Sequence, residues 1–200
     1  LANHKEMDFS WEQAIEILNK DPFYVGKFKE AYIDGLTILN MRKAIVRYEE
    51  SLITPNSRFD RYLKGNKEAI TDTELDGYNL FKQYGCISCH QGVAVGGNLY
   101  QKFGVLGDYF ADRGNIISVD WGRFSVTKKE IDRFVFKVPS LRNVELTAPY
   151  FHDGSQVSLA GAVNIMMKYQ LGRIPKKNDV VLIVEFLKTL TGEYQGVQLQ

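Results

Sequence analysis

Cys86-Ile87-Ser88-Cys89-His90 is the stretch that decides how this chain is read. A C-x-x-C-H run is the attachment signature of a c-type haem. Two thiols at this spacing add across the vinyl groups of a porphyrin edge, and the adjoining imidazole reaches the iron from the same short turn. Two other chemistries use paired cysteines. A thioredoxin-type dithiol stands at the start of a helix after a buried strand, whereas here a helical segment leads into the motif. A structural zinc site needs four nitrogen or sulfur ligands. The chain has two cysteines and three histidines, the latter at positions 4, 90 and 152. The motif therefore predicts one haem c joined to Cys86 and Cys89, with His90 as proximal ligand.

Working outward, Thr73 to Phe81 reads as the helix that delivers the chain into the motif, capped by Thr71 or Thr73. Gly77 inside it costs about 1 kcal/mol relative to alanine. That cost predicts a close approach by another backbone. The natural partner is a final helix over 178–190, where Val180, Ile183, Val184, Leu187 and Leu190 recur at helical spacing. Residues 91–126 scatter glycines and aromatics without a sustained period. They predict a long loop region wrapped around a group that supplies the missing core.

The first third reads as helices. Ser10 is the predicted N-cap of a helix over 11–18, with Gln13 placed for a capping box. Asp21-Pro22 starts a second helix, with proline at the tolerated first position. Met41, Ala44, Ile45 and Tyr48 predict a third over about 40–52. Thr54-Pro55-Asn56-Ser57 then breaks the pattern and is the predicted domain boundary.

With 200 residues, 44% of them apolar and 12% aromatic, the chain has material for one full domain plus a smaller piece. A net charge of +1 gives no reason to expect nucleic acid or an anionic membrane as partner. No apolar run is long enough to span a bilayer, Val180–Leu190 being short and interrupted by Glu185 and Lys188. No signal peptide opens the chain, so a processed or trimmed N-terminus is expected. Both cysteines lie in the motif, which leaves none for a disulfide. The compartment follows instead from haem attachment, which bacteria complete outside the cytoplasmic membrane, and the expectation is the periplasm.

A proximal histidine leaves one axial position on the iron. Leu159, Ala162, Val163, Met166 and Gln170 form an i, i+3, i+4, i+7, i+11 row on one helix face. Met166 lies in that row and Met167 is turned about 100° away, so Met166 is the predicted distal ligand. A thioether is soft and neutral, favours ferrous iron and raises the reduction potential. His152 sits in a turn-like segment between Pro149 and Asp153-Gly154. It is expected to be a partly exposed, hydrogen-bonded histidine near the haem edge rather than a ligand.

These runs together resemble the C-terminal half of bacterial di-haem cytochrome c peroxidases, relatives of the tryptophan-tryptophylquinone maturase. The matching runs are Thr54–Asp60, Gly85–His90, Phe136–Asn143, Leu146–Gly154, Gln170–Gly172 and Phe186–Gly192. The resemblance implies a haem with histidine and methionine ligands that takes in electrons, and a second haem, in an N-terminal domain, where peroxide reacts. By position, His90 matches the proximal and Met166 the distal ligand of the first haem. The maturase branch has tyrosine at the distal position, so Met166 points to the peroxidase branch. Thr147 and Pro149 match residues whose backbone carbonyls bind an interdomain calcium. Asn3-His4-Lys5-Glu6-Met7 matches an N-x-x-E-M element, with His4 where the family usually has proline. Its glutamate, here Glu6, does acid–base work in cleaving the peroxide O–O bond.

The expected fold is all-α: a cytochrome c-like haem domain over 54–193, preceded by helices over 1–53 left from a second, truncated haem domain. The 194–200 tail is expected to pack toward that first domain. The expected activity of the parent enzyme is reduction of hydrogen peroxide to water, with electrons from a small soluble c-type cytochrome or cupredoxin. Only one of the two required haem motifs is present, so this chain alone is expected to carry electrons but not to turn over peroxide. A stand-alone monohaem carrier is the main alternative, and needs neither the Glu6 element nor the helical first third. A maturase-like oxidase is the other, against which Met166 argues. A homodimer is left open.

Overall fold

The computed structural model describes residues 7–200. Helix α1 (Trp11–Leu18) starts at Ser10, whose hydroxyl accepts from the Gln13 amide at 3.2 Å while the Gln13 side chain accepts from Ser10 N at 2.8 Å. Helix α2 (Pro22–Ala31) is capped by Asp21, which accepts from Phe23 N at 2.9 Å. Helix α3 (Ile38–Ser51) begins earlier than its apolar spacing suggests, because Thr37 supplies the N-cap. The buried Asn40 amide fixes the turn before it, donating to Asp34 and to the Gly35 carbonyl, each at 2.8 Å. Arg42 lies over the Trp11 ring, 4.8 Å from its centroid. These helices belong to a compact unit ending at Ile53, and Thr54–Gln200 form another. The division falls at the Thr54-Pro55 break.

In the second unit, α4 (Arg58–Leu63) and α5 (Asp72–Gln83) each open on a capping box, Ser57 with Asp60 and Thr71 with Glu74. The chain then passes through β1 (Tyr100–Lys102), α6 (Tyr109–Arg113), α7 (Phe124–Thr127), β2 (Val135–Lys137), α8 (Leu159–Ile165) and α9 (Lys177–Lys188). A final hairpin pairs β3 (Glu193–Tyr194) with β4 (Val197–Gln198) through Gln195 and Gly196, both at positive φ. The fold is mostly helical rather than wholly so. β1 and β2 pair antiparallel, with Gln101 opposite Phe136.

The core forms where α5 and α9 meet. Phe186 on α9 is 1% exposed and has the rings of Phe59, Tyr78 and Phe81 at 5.1, 5.1 and 5.2 Å. Burying such a side chain stabilises by roughly 1.5–3 kcal/mol. Gly77 sits at the crossing. A Cβ there would overlap the Leu182 carbonyl oxygen and lie 2.7 Å from its carbon. The close approach inferred from a glycine in mid-helix is this one. The two ends of the unit are also joined, Phe59 N donating to Thr189 O at 3.1 Å and Glu193 N to Pro55 O at 2.8 Å.

Two expectations need correction. Residues 91–126 are not one long loop, because they carry β1, α6 and the start of α7 and their aromatics pack with Phe134 and Phe151 from later segments. Phe103 meets Tyr109 and Phe110 stacks on Phe134, each at 4.5 Å between centroids. The regular helix expected through Gln170 stops at Ile165 and continues as a π-helical turn over Met166–Gln170. Tertiary hydrogen bonds account for the widening. Tyr169 O accepts from Leu106 N at 3.0 Å, and the Gln170 side chain bonds Lys102 O and Gly104 N at 3.0 and 2.9 Å. π-turns of this kind concentrate at functional sites.

Candidate functional site

Helix α5 is C-capped by Tyr84, and Gly85 at φ 87° turns the chain into a 3-10 turn over Cys86–Ser88. Cys89 N and His90 N both bond back to Cys86 O, at 3.3 and 3.0 Å. One tight turn thus carries both sulfurs and the imidazole. Burial pushes the Cys86 thiol up to about 11, against a partly offsetting backbone hydrogen bond. A redox dithiol or a zinc thiolate needs the opposite shift. Among the described residues, the one cluster with metal-ligand spacing is Asp120, His152 and Asp153, which contains neither cysteine.

Burial also lowers the His90 pKa, so the imidazole is neutral, as an iron ligand must be. Its Nδ1 is buried without a hydrogen-bond partner, and with the Pro139 carbonyl it borders the space beside Gly96. A Cβ on Gly96, at φ 131°, would overlap Pro139 O and sit 3.3 Å from Nδ1, so only glycine leaves that approach open. The 91–97 loop is held by the segment opposite it. Gly97 N donates to Val138 O at 2.8 Å, Leu141 N to Val95 O at 3.2 Å, and Arg142 Nε to Val93 O at 2.8 Å. Arg142 also forks onto Asp60 with bonds of 2.9 and 2.8 Å. Three of the runs read from sequence, around Asp60, His90 and Arg142, therefore meet in space. Neither Arg142 nor Asp60 stood out as a site residue, because their pairing spans 82 positions.

Met166 and Met167 are treated differently by the fold. Met167 is 1% exposed and packs in the main core with Phe81, Val163 and Ile183. Met166, on the adjoining face, is half-buried and lies outside that core. The apolar row drawn from sequence therefore divides: Ala162 and Val163 are buried while Met166 is left on the flank, and Met167, outside the row, enters the core instead. Thr147 and Pro149 lie in an exposed turn in which Thr147 Oγ1 donates to Val144 O at 3.2 Å and the Ala148–Pro149 peptide is cis. Glu6 lies outside the described residues.

Sequence reasoning missed Arg113 and Asp120. Asp120 is wholly buried and accepts from Arg113 at 2.5 Å, from Ile117 N at 2.8 Å and from His152 Nε2 at 2.7 Å. Arg113 also bonds Asp153 at 2.6 Å. Burial alone would raise the Asp120 carboxyl; the hydrogen bonds and the Arg113 charge outweigh it and hold the group well below the ordinary range. His152 is hydrogen-bonded and partly exposed as expected, its side chain 15% exposed. No local pattern around Asp120 announces the cluster.

The cysteine and histidine placements fit a c-type haem, and comparison with known proteins gives the family. The di-haem cytochrome c peroxidase family model matches residues 1–68. The chain is 48% identical over 200 residues to a cytochrome c551 peroxidase of Nitrosomonas europaea, covering all of this chain and 58% of that protein. The chain belongs to the bacterial di-haem cytochrome c peroxidase family. A cytochrome c peroxidase of Escherichia coli is 44% identical over 185 residues, 92% of this chain and 39% of that protein. The chain thus spans little more than half of one of these peroxidases and well under half of the other. The fold is shared with a MauG-like protein associated with microbial copper homeostasis, at a TM-score of 0.79 and 24% identity over 91% of this chain and 62% of that one. Among the described residues no helix is long and apolar enough to cross a membrane.

Proposed function

We propose that this chain is the haem c electron-transfer half of a periplasmic peroxidase that reduces hydrogen peroxide to water. The observation that carries the reading is the Cys86–His90 turn, where two cysteines and a buried imidazole share one turn of chain, Cys89 N and His90 N both bonding back to Cys86 O. In this reading Cys86 and Cys89 hold the haem by thioethers and His90 and Met166 are its axial ligands. Met167, enclosed by protein side chains, is unavailable for that task. When bound, the group supplies one-electron storage between ferrous and ferric iron. The surrounding residues bury the imidazole and its Nδ1, and Met166 would supply a neutral thioether to the iron.

The remaining assignments belong to the same proposal. Residues 54–193 form the haem domain and 1–53 belong to a second haem domain. Thr147 and Pro149 offer two carbonyl oxygens to calcium, which takes six to eight oxygen ligands, so water and other parts of the protein complete the shell. Glu6 moves a proton at the peroxide oxygen. The donor is a small c-type cytochrome or cupredoxin.

The test is chemical. In protein matured with cytochrome c machinery, acid acetone should leave the haem on the polypeptide, and a Cys86→Ala/Cys89→Ala variant should release it. Full extraction from the wild type refutes the attachment. Peroxide turnover by the full-length protein, slowed about a hundredfold or more by Glu6→Gln with the His90 haem spectrum unchanged, tests the activity. Wild-type turnover in that variant removes Glu6 from the reaction.

A further inference from the structure

The cluster around Asp120 lies outside the haem-attachment turn and has no part in the function proposed above. Its chemistry is unusual for its place. Ile116, Ile117 and Val119 beside it are 47, 57 and 55% exposed, yet Asp120 is wholly buried. A buried ion pair is a weak stabiliser compared with apolar residues of the same volume, so stability alone is a poor account of it.

The geometry makes the carboxylate directional. Ionised Asp120 can only accept, so His152 Nε2 carries the proton and the imidazole is held in one tautomer and one plane. Arg113 and the Ile117 amide fix the carboxylate from the other side. The ring so held lies 4.5 Å from Phe136, tilted by 32°, with Phe110 at 5.9 Å.

Phe136 is the middle residue of β2. Two residues on, Val138 is gripped on both sides, its N bonding Leu99 O at 2.9 Å and its O accepting from Gly97 N at 2.8 Å. Pro139 follows, and its carbonyl oxygen and His90 Nδ1 both border the space a Gly96 Cβ would fill, Nδ1 lying 3.3 Å from that point. Phe136 to Pro139 is three steps of extended chain, about 10 Å at roughly 3.3 Å each. A displacement at Phe136 therefore reaches the carbonyl with little slack between.

We propose that Asp120 is a positioning residue for His90: by locking the His152 ring against Phe136 it sets β2, and with it the Pro139 carbonyl beside the proximal imidazole. The proposal rests on the haem c reading above. A carbonyl drawn onto Nδ1–H makes the imidazole a more basic ligand, which favours ferric iron. Loosening it raises the reduction potential.

The experiment is a spectroelectrochemical titration of full-length, haem-loaded protein. Asp120→Asn should raise the reduced-to-oxidised ratio of the His90-ligated haem at fixed ambient potential about tenfold, the lower end of what outer-shell changes produce, equal to about 59 mV for one electron. Phe136→Leu, which leaves the ion cluster intact, should shift it in the same direction. The double variant should shift no further than the larger single one, because both act on one path. Additive shifts overturn the proposal. So does an Asp120→Asn protein with a lower unfolding temperature and an unmoved potential, the signature of a merely structural carboxylate. If Asp120→Asn does not fold, Arg113→Gln takes its place in the same cycle. Covalently attached haem with an unmoved potential refutes the role of Asp120 alone, whereas absence of haem from Cys86 and Cys89 refutes the underlying reading with it.

Discussion

Replacing Gly77 with alanine tests whether the α5–α9 crossing is as close as it stands. On an exposed helix the change would stabilise by about 1 kcal/mol through backbone propensity. Here the new Cβ would overlap the Leu182 carbonyl oxygen and lie 2.7 Å from its carbon and 3.0 Å from Phe186 Cβ. Carbon atoms in contact prefer about 3.5–4.0 Å, so the helices must part by roughly 1 Å. The obstructing atoms are mostly backbone, which has no rotamer to change. Parting the helices also loosens Phe186 from Phe59, Tyr78 and Phe81. Overpacking of this kind costs about 1–3 kcal/mol, and the rigid obstacle puts Gly77→Ala at the upper end. Less the propensity gain, the net loss is about 2 kcal/mol. For a domain of this size that lowers Tm by about 4–8 °C, read by far-UV circular dichroism on haem-loaded protein. Gly26 in α2 is the control, since a Cβ there meets nothing within 4 Å. Gly26→Ala should stabilise by about 0.5–1 kcal/mol. A Gly77→Ala protein as stable as wild type would refute the crossing geometry.

The two methionines should separate function from packing. Met166→Ala should abolish the sulfur-to-iron charge-transfer band with a small effect on stability, while Met167→Ala should keep the band and lose about 2–5 kcal/mol as a core cavity opens; the reverse pattern means the wrong sulfur has been assigned. Acid stability should depend on Asp60 and Asp120. Burial opposes both carboxylates, but hydrogen bonds and the charges of Arg142 and Arg113 hold both below their ordinary values. A depressed folded-state value contributes stability that is fully present above the unfolded value, about 3.9, and is lost as pH falls through the folded one. Urea midpoints should therefore drop progressively below about pH 4, and Asp60→Asn should flatten that dependence; an unchanged slope would remove the Asp60–Arg142 pair from the account.

Much of this protein is determined locally. The Cys86–His90 spacing specifies a single turn holding two sulfurs and an imidazole, because contacts among neighbours need no distant partner. Ser10, Asp21 and Thr71 mark helix starts for the same reason: a capping side chain satisfies an amide two or three residues away. Gly77 even announced its partner, since a glycine that weakens a helix must be repaid by what it lets approach. Other features depend on residues far apart in the chain, and no local period encodes them. Helical spacing puts Met166 in the apolar row and turns Met167 away from it, yet Val163 and the α9 face claim Met167 for the core and leave Met166 on the flank. The π-turn exists because Lys102, Gly104 and Leu106 draw on the backbone and side chains at 169–170. Arg142 forks onto a carboxylate 82 positions away, and Asp120 is an unremarkable surface-loop residue until Arg113 and His152 close over it. Charge and hydrogen-bond complementarity across such separations is created by folding, and only the tertiary structure decides it.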